Sequence, residues 1–381
     1  MEIGYMKRAL ELAEYGVGNT NPNPFVGAVI VKDGRIIGEG WHERYGQAHA
    51  EVNAIRNAEG NTSNNSKRNP VNKAEVSVEG ATVYVNLEPC CHTGKTPPCT
   101  ELLIQKGVTH VVIGALDPNP LVAGKGVKRL QEAGIAVTIG VLEQECKKCN
   151  EVFYHYMQKG QPFVVLKAAM SLDGKIAAPS GESKWITEEA ARRDVQLLRN
   201  RYSAIMVGID TVIKDDPELT CRLEGGRNPL RIILDSNLRI PLESKVLIDP
   251  KKNAAMVVCT ERASRSKAKE LEAMGARLLY CRSRNDQIDL VDLMEKLGGL
   301  SVDSILLEGG ARVNDSAFSQ GIIQKMILYI APKIIGGEQS KTVVGGNGIK
   351  RLDQAYPLII ESMEQIGADM KITAYQKEQH D

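Results

Sequence analysis

The sequence predicts an α/β protein built from two three-layer domains, each with a mostly parallel sheet covered by helices. Three observations support this prediction. The chain has 381 residues, which is enough for two hydrophobic cores. Strand-like and helix-like segments alternate along it, as expected for parallel strands joined by helical crossovers. A Gly-Gln-Pro sequence at 160–162 interrupts the alternation. We therefore predict domains at 1–145 and 163–381, joined by a linker at 146–162.

The first domain is predicted to begin with an amphipathic helix and a β-hairpin. Apolar residues at helical spacing within 5–14 indicate the helix. The apolar run 25–31 meets Asp33-Gly34, a typical hairpin turn, and the chain returns through 35–39. The Asn-rich stretch 60–73 shows no periodicity and is predicted to be a surface loop. The remaining strands are predicted at 81–87, 108–116 and 135–141, and the helices at 48–58, 100–106, 127–133 and 143–159.

The second domain repeats this alternation with a larger number of strands. Apolar and β-branched runs predict strands at 163–169, 204–208, 230–234, 254–259, 304–307, 325–331 and 369–375. Segments with helical periodicity predict helices at 188–200, 262–274 and 290–296.

Composition and charge limit the possible partners. Lys and Arg total 48 and Asp and Glu total 47, and only 4% of residues are aromatic. Proteins that bind nucleic-acid backbones usually carry a basic excess, and those that bind single strands need aromatic platforms. The sequence shows neither a signal peptide nor an apolar run long enough to span a membrane. We expect a cytoplasmic homo-oligomer that acts on a small molecule, with no nucleic-acid or membrane partner.

One histidine and two cysteines of the first domain form a candidate zinc site. His49-Ala50-Glu51 stands at a predicted helix start, and Cys90 and Cys99 follow a predicted strand. One imidazole and two thiolates can bind Zn²⁺ and leave a fourth position for water, whose pKa falls towards ~7. Glu51 could then carry the water's proton to a leaving amine. The pattern is typical of zinc deaminases, although eight residues separate the cysteines here instead of two.

This longer spacer points to one family. The segment Pro89–Cys99 reads P-C-C-H-T-G-K-T-P-P-C, and it accompanies N-P-N-P-F-V-G-A-V-I at 21–30 and D-P-N-P at 117–120. In the second half, L-K-A-A-M-S-L-D-G-K-I-A begins at 166 and L-E-G-G at 307. Together these motifs closely resemble the bifunctional deaminase/reductase of riboflavin biosynthesis, almost from end to end. The resemblance implies a cytidine-deaminase-like first domain and a dihydrofolate-reductase-like second domain.

For the first domain, the resemblance implies residue roles. His49, Cys90 and Cys99 would bind zinc and Glu51 would shuttle the proton. Four further residues would line the pyrimidine and ribose-phosphate pocket: Asn23, His42, His92 and Lys95. Cys91 receives no metal role, because serine often stands there in the family. The domain would remove the 2-amino group from a diaminopyrimidinone ribosylamino phosphate by attack of zinc hydroxide on the ring carbon.

For the second domain, the residues alone say less. No G-x-G-x-x-G fingerprint follows a strand, and Gly309-Gly310 is only weak support for a phosphate-binding turn. The resemblance implies an NADPH-dependent reductase that converts the ribosyl group to ribityl. NADPH would contact Ala169, Trp185, Thr211, Asp215, Ser236 and a loop made of Gly310, Ala311, Arg312, Val313, Asn314, Asp315 and Ser316. The substrate would contact Lys167, Ser183, Leu219, Arg222 and Glu308.

Two alternatives fit part of the sequence. A polynucleotide deaminase of the tRNA type, with an accessory C-terminal domain, would share the zinc motif, but the balanced charge and few aromatics speak against it. A non-enzymatic protein with a structural zinc would need a fourth ligand, such as His92 or Cys91. The isolated C-x-x-C at Cys146–Cys149 is interpreted as incidental.

Overall fold

The structure is a computed structural model that describes residues 2–60, 76–92, 97–119, 122–248 and 254–377. The chain divides into two compact units, Met1–Lys159 and Gly160–Asp381. Nearly all of the loop predicted at 60–73 lies outside the described residues. Every helix in the described ranges is too short or too polar to cross a bilayer.

The first unit contains five strands and six α-helices within its described residues. In chain order they are α1 Glu2–Ala13, β1 Gly27–Lys32, β2 Arg35–Trp41, α2 Ala50–Ala58, β3 Thr82–Leu87, α3 Cys99–Gln105, β4 His110–Ala115, α4 Lys125–Glu132, β5 Ala136–Ile139, α5 Glu143–Cys149 and α6 Glu151–Lys159. The segment expected as a linker therefore includes all of α6 and the C-terminal half of α5, and both helices fall in this unit.

The sheet of the first unit has the order β2-β1-β3-β4-β5. Strand β1 is antiparallel to β2 and β3, whereas β3, β4 and β5 are parallel. Alternate residues of each strand point to opposite faces. Ile30 therefore joins a buried cluster with residues of α2, α3 and α4, and Val29 joins a second cluster with residues of α1 and α5. This arrangement confirms the predicted three-layer domain with an initial hairpin.

The second unit carries the larger sheet. Its elements are β6 Phe163–Ser171, α7 Glu189–Arg201, β7 Ala204–Gly208, α8 Ile209–Asp215, β8 Leu230–Leu234, β9 Ala255–Cys259, α9 Arg265–Ala273, β10 Arg277–Tyr280, β11 Ser283–Arg284, β12 Gln287–Ile288, α10 Leu290–Gly299, β13 Ser304–Leu307, α11 Ala311–Ser319, β14 Lys325–Ala331, β15 Leu358–Ile366 and β16 Asp369–Gln376. Strands β11 and β12 form a separate short hairpin.

The strand order of the large sheet is β10-β9-β8-β7-β13-β6-β14-β16-β15. The strands from β10 to β14 are parallel, and β16 and β15 add an antiparallel edge. Buried clusters lie on both faces of the sheet: one includes residues of α10 and α11, and the other includes residues of α8 and α9. The second unit is thus also a three-layer α/β domain, as predicted.

One predicted loop is largely helical in the structure. Residues 310–316 were expected to form a cofactor-binding loop, but α11 begins at Ala311 and Gly310 is its N-cap. Val313, Ala317 and Phe318 recur at helical spacing, and the last two are buried. The apolar side of this short segment therefore packs on the sheet as a helix.

Candidate active sites

Three element ends bring the predicted zinc ligands together. His49 is the N-cap of α2, Cys90 lies three residues beyond the end of β3, and Cys99 is the first residue of α3. Nδ1 of His49 lies 3.5 Å from Sγ of Cys90 and 3.4 Å from Sγ of Cys99. The possible ligand atoms of the three residues all lie within 4.8 Å of one another.

The environment of Cys90 favours a thiolate. Hydrogen bonds from Cys99 and from the His49 ring lower the pKa of Cys90 to about 4, even though burial opposes this change. The backbone N–H of Cys99 also donates to Sγ of Cys90, over 3.4 Å. A sulfur that already carries negative charge is prepared to bind a metal cation.

Glu51 occupies the first turn of α2, directly beside the three ligands. Its side chain is buried, and its Oε2 has no hydrogen-bond partner among the described residues. Burial raises the pKa of this carboxyl group above its ordinary value. A buried carboxylate oxygen without a partner is costly, so its presence beside a metal-binding cluster indicates a functional role.

The donor set fits zinc in a catalytic type of site. One imidazole and two thiolates are preferred zinc ligands, and catalytic zinc usually has three protein ligands. In the ranges that the structure describes, the cluster contains only His49, Cys90 and Cys99. Cys91 and His92, which could have completed a structural site, lie outside it, and the His92 side chain is exposed.

Two of the predicted pocket residues contact each other beside the cluster. Nδ2 of Asn23 lies 3.2 Å from Nε2 of His42, and Nδ1 of His42 lies 3.0 Å from the carbonyl oxygen of Ala48. The His42 ring packs edge-on against the His49 ring, with centroids 5.4 Å apart. Burial lowers the pKa of His42. Lys95, a predicted phosphate contact, lies outside the described residues.

A cavity of about 850 Å³ occupies the second unit. Its volume is suitable for a large ligand. Among the residues predicted to bind NADPH, all but Asp315 line it: Ala169, Trp185, Thr211, Asp215, Ser236, Gly310, Ala311, Arg312, Val313, Asn314 and Ser316. Among those predicted to bind substrate, three line it: Lys167, Ser183 and Glu308. Leu219 and Arg222 do not line the cavity, and the Leu219 side chain is buried in the core.

Glu308 forms a charge cluster at the cavity wall. Its carboxylate accepts two hydrogen bonds from Arg199, at 3.2 Å from Nε and 3.0 Å from Nη2, and lies 3.9 Å from Nζ of Lys167. Burial alone would raise the pKa of Glu308, but the positive charges of Arg199 and Lys167 lower it to about 2. Glu308 is therefore ionised. The sequence analysis did not identify Arg199 as its partner.

The N-terminus of α11 offers polar groups to the same cavity. Gly310 is extended and provides no side-chain cap, so the first N–H groups of the helix are available to an anion. A side chain at Gly309 would collide with Oδ1 of Asn314. This oxygen is buried and has no partner among the described residues. Helix N–H groups beside a cavity of this size fit the pyrophosphate of a dinucleotide.

Family models match both halves of the chain. Residues 2–115 match the cytidine and deoxycytidylate deaminase zinc-binding region, and residues 162–372 match the RibD C-terminal domain. The riboflavin biosynthesis protein RibD of Actinobacillus pleuropneumoniae is 48% identical over 369 residues, which cover 97% of this chain and 94% of that protein. The chain belongs to the RibD family.

Solved RibD structures share the full architecture. Acinetobacter baumannii RibD superposes with a TM-score of 0.85 at 39% identity, and 99% of each chain is covered. A diaminohydroxyphosphoribosylaminopyrimidine deaminase/5-amino-6-(5-phosphoribosylamino)uracil reductase from Thermotoga maritima gives 0.84 at 37% identity, also with 99% coverage of each. The protein is therefore a bifunctional RibD enzyme of riboflavin biosynthesis, with a zinc deaminase domain and an NADPH-dependent reductase domain. The tRNA-type alternative is not favoured.

Two asparagines that sequence analysis did not single out hold residues 23–27, which we call the Asn23 segment. Oδ1 of Asn150 accepts from the N–H of Phe25 over 2.7 Å, and its Nδ2 donates to the Phe25 carbonyl over 2.9 Å. Asn86 bonds the N–H of Gly27 and the same carbonyl, both over 2.9 Å. These contacts join residues far apart in sequence, so no local pattern could reveal them.

A buried carboxylate holds the backbone next to the segment that carries Cys90. Glu88, the residue that follows β3, accepts hydrogen bonds from the N–H groups of Asp117, Gly124 and Val127, over 2.9–3.2 Å. Burial raises the pKa of Asp117 to about 6. The motif D-P-N-P at 117–120 is part of the family resemblance, but the sequence analysis assigned no role to Asp117. Its shifted pKa and its position beside Glu88 mark it as part of the polar surroundings of the site.

Proposed function

We propose that the first unit hydrolyses the 2-amino group of 2,5-diamino-6-ribosylamino-4(3H)-pyrimidinone 5′-phosphate. The second unit would then reduce the ribosyl group of 5-amino-6-(5-phosphoribosylamino)uracil to ribityl. The observation that carries this proposal is the cluster of His49, Cys90 and Cys99 beside the unpaired Oε2 of Glu51. The exact substrates come from the family, in which the Thermotoga maritima relative is named as both a deaminase and a reductase.

In the deamination, His49, Cys90 and Cys99 would hold zinc, which supplies an activated water molecule when bound. Glu51 would accept a proton at its free Oε2 and deliver it to the departing amine, so that ammonia leaves. Asn23 and His42, which contact each other beside the cluster, would orient the pyrimidine ring. His92 and Lys95 would contact the ribose phosphate.

In the reduction, NADPH supplies a hydride when it is bound in the cavity. Gly310 to Ser316 would bind its phosphates at the start of α11, and Ala169, Trp185, Thr211, Asp215 and Ser236 would hold the rest of the cofactor. Lys167, Ser183 and Glu308 would orient the sugar of the substrate. Leu219 and Arg222 do not line the cavity, so they could contact the substrate as the family implies only if the substrate extended beyond it.

The decisive experiment is incubation of the purified full chain with the diaminopyrimidine phosphate, with and without NADPH. Ammonia release and the absorbance of NADPH are measured over time in the same samples. We expect ammonia in both samples and NADPH oxidation only after ammonia has appeared. Ammonia release without any NADPH oxidation would contradict the reductase assignment, and the absence of both would contradict the whole proposal.

We also propose that the enzyme is a cytoplasmic homo-oligomer that does not act on nucleic acid. None of the eight cysteines, all of which lie in the described residues, forms a disulfide, as is usual in a reducing compartment. The edge strand β15 exposes Ile359, Ile360 and Met363, and an exposed apolar edge favours association with another chain. Sedimentation of the wild type and of Ile360→Lys tests this: dissociation of the variant is expected, and a monomeric wild type would contradict it. The domain limits 1–145 and 163–381 are part of the same proposal.

A further inference from the structure

The loop that follows β14, residues 332–345, contacts three parts of the reductase cavity; we call it the strap. The carboxylate of Asp173, just after β6, accepts hydrogen bonds from the N–H groups of Ile335 and Gly336, over 3.1 and 2.7 Å. At the far end of the strap, the carbonyl of Val343 accepts from Nδ2 of Asn314 in α11, over 2.7 Å. The strap is therefore fixed at one end to the turn after β6 and at the other to α11, which lines the cavity.

Just before the first anchor, Lys333 of the strap reaches the loop that carries Trp185. Nζ of Lys333 donates to the carbonyl oxygens of Trp185 and Ile186, over 3.3 and 2.8 Å. The next carbonyl, that of Thr187, accepts from Nη1 of Arg192 over 2.7 Å. Three consecutive carbonyls of the loop are thus held by cationic side chains, whose hydrogen bonds are stronger than those of neutral donors.

These bonds matter because little packing holds the Trp185 ring. The side chain is 63% exposed, and the guanidinium of Arg192 lies 4.7 Å from the ring centroid. Trp185 and Arg192 line the cavity, but Lys333 is not among the lining residues that the structure describes. Any effect of Lys333 on a ligand must therefore pass through the loop that it holds.

We propose that Lys333 is a positioning residue for NADPH, acting by holding the backbone at Trp185 and Ile186. Asp173 supports it by anchoring the strap. A loop held in its binding conformation before the cofactor arrives loses less conformational entropy on binding. The inference rests on the proposed reductase function, since it assumes that NADPH binds beside Trp185.

The test compares Lys333→Met, which keeps the length of the side chain but donates no hydrogen bond, with Lys333→Arg, which keeps the charge. Each is made in full-length protein, and Lys350→Met serves as the control because Lys350 is also an exposed lysine in the segment between β14 and β15. For Lys333→Met we expect the KM for NADPH to rise about tenfold, with a much smaller change in kcat. Lys333→Arg should recover part of this loss, and Lys350→Met should match the wild type.

A spectroscopic readout separates positioning from a general structural effect. The chain has two tryptophans, so a Trp41→Phe background leaves Trp185 as the only one. Without any ligand, acrylamide should quench Trp185 more strongly in Lys333→Met than in the parent. In a double-mutant cycle, Lys333→Met should add little to the KM of Trp185→Ala, because both changes remove the same interaction.

The positioning role of Lys333 and the proposed reductase function are contradicted by different results. If the wild type oxidises NADPH and Lys333→Met has the same KM and the same quenching, the positioning role is wrong while the reductase function stands. If the effects of Lys333→Met and Trp185→Ala on the KM for NADPH were fully additive, the positioning role would also be wrong. If the wild type does not oxidise NADPH in the presence of deaminated substrate, the proposed function itself fails. Asp173→Asn provides a second variant, for which we expect a smaller rise in the same KM.

Discussion

The guanidinium of Arg199 and the carboxylate of Glu308 form a two-point ion pair, with N–O distances of 3.2 and 3.0 Å, in the wall of the reductase cavity. Both side chains are largely buried, so neither charge is well hydrated. Removing Arg199 would leave the buried Glu308 charge compensated mainly by the more distant Lys167, at 3.9 Å. We expect Arg199→Met to lower the free energy of unfolding of the second unit by about 3 kcal/mol at pH 7, measured by urea titration.

The same pair predicts a pH dependence. The pKa of Glu308 is lowered from 4.5 to about 2 in the folded protein, so its stabilising contribution is present above pH 4.5 and is lost as the pH falls towards 2. In Arg199→Met this pKa should rise. The difference in unfolding free energy between wild type and variant should therefore be largest near neutral pH and shrink in acid. A difference that stays constant as the pH falls from 4.5 towards 2 would contradict the interpretation.

Arg193→Met is the matched control for this prediction. Arg193 lies on the same helix and pairs with Glu189, but these side chains are 78% and 67% exposed. Exposed ion pairs contribute only about 0–1 kcal/mol, so this variant should unfold almost like the wild type. A loss as large as that of Arg199→Met would mean that the helix, and not the buried pair, is sensitive to substitution.

Glu51→Gln tests the proton shuttle. The amide has nearly the same shape and leaves all three proposed zinc ligands in place, but it cannot accept and return a proton. We expect zinc content to be unchanged and ammonia release to fall by about 10²–10⁴-fold. Reduction of the deaminated substrate by the same variant should proceed at the wild-type rate. Glu59→Gln, which follows α2 at its other end, is the control. Deamination at the normal rate by Glu51→Gln would remove Glu51 from the mechanism.

Cys99→Ser tests the metal site itself. A serine hydroxyl is a much weaker zinc ligand than a thiolate, so the variant should lose most of its zinc in elemental analysis. It should also lose ammonia release, while NADPH oxidation with deaminated substrate continues. Cys149→Ser is the control, because Cys149 is outside the cluster and only half-buried. Full zinc retention by Cys99→Ser would exclude Cys99 from the ligand set.

The zinc cluster could be predicted because its signals are local. His49 and Glu51 are two residues apart, and Cys90 and Cys99 belong to the turn that the sequence predicts between a strand and a helix. Hydrophobic periodicity placed these turns at the ends of elements, where side chains can converge. What the sequence could not show was the support of the site. The bonds from Asn150 to Phe25 join residues 125 positions apart, and only the folded chain brings them together.

In the reductase half, the residues alone predicted most of the fold but little of the site. Six of the seven parallel strands in the described part of its sheet were predicted from apolar runs, because strands buried on both faces are continuously hydrophobic. The seventh, β10, lies at one edge and is only partly buried, and it was not predicted. The exposed edge strand β15 was not predicted, since its L-I-I-E-S-M-E-Q-I sequence lacks alternation. Without a dinucleotide fingerprint, the cavity residues came from the family resemblance alone. Arg199 was missed because its partner Glu308 is 109 residues away.

Asn150→Ala tests whether the support of the Asn23 segment affects deamination. The change leaves the buried N–H of Phe25 without its acceptor, which costs about 1–3 kcal/mol of unfolding free energy in the first unit. Because Asn23 lies two residues before Phe25, we also expect a higher KM for the pyrimidine substrate, with unchanged kinetics of reduction. Asn57→Ala is the control: Oδ1 of Asn57 also accepts a backbone N–H, that of Glu39, but it has no bond to the Asn23 segment. It should lose stability without a change in KM. Equal KM values for Asn150→Ala and the wild type, together with the loss of stability, would show that Asn150 supports the fold and not the pocket.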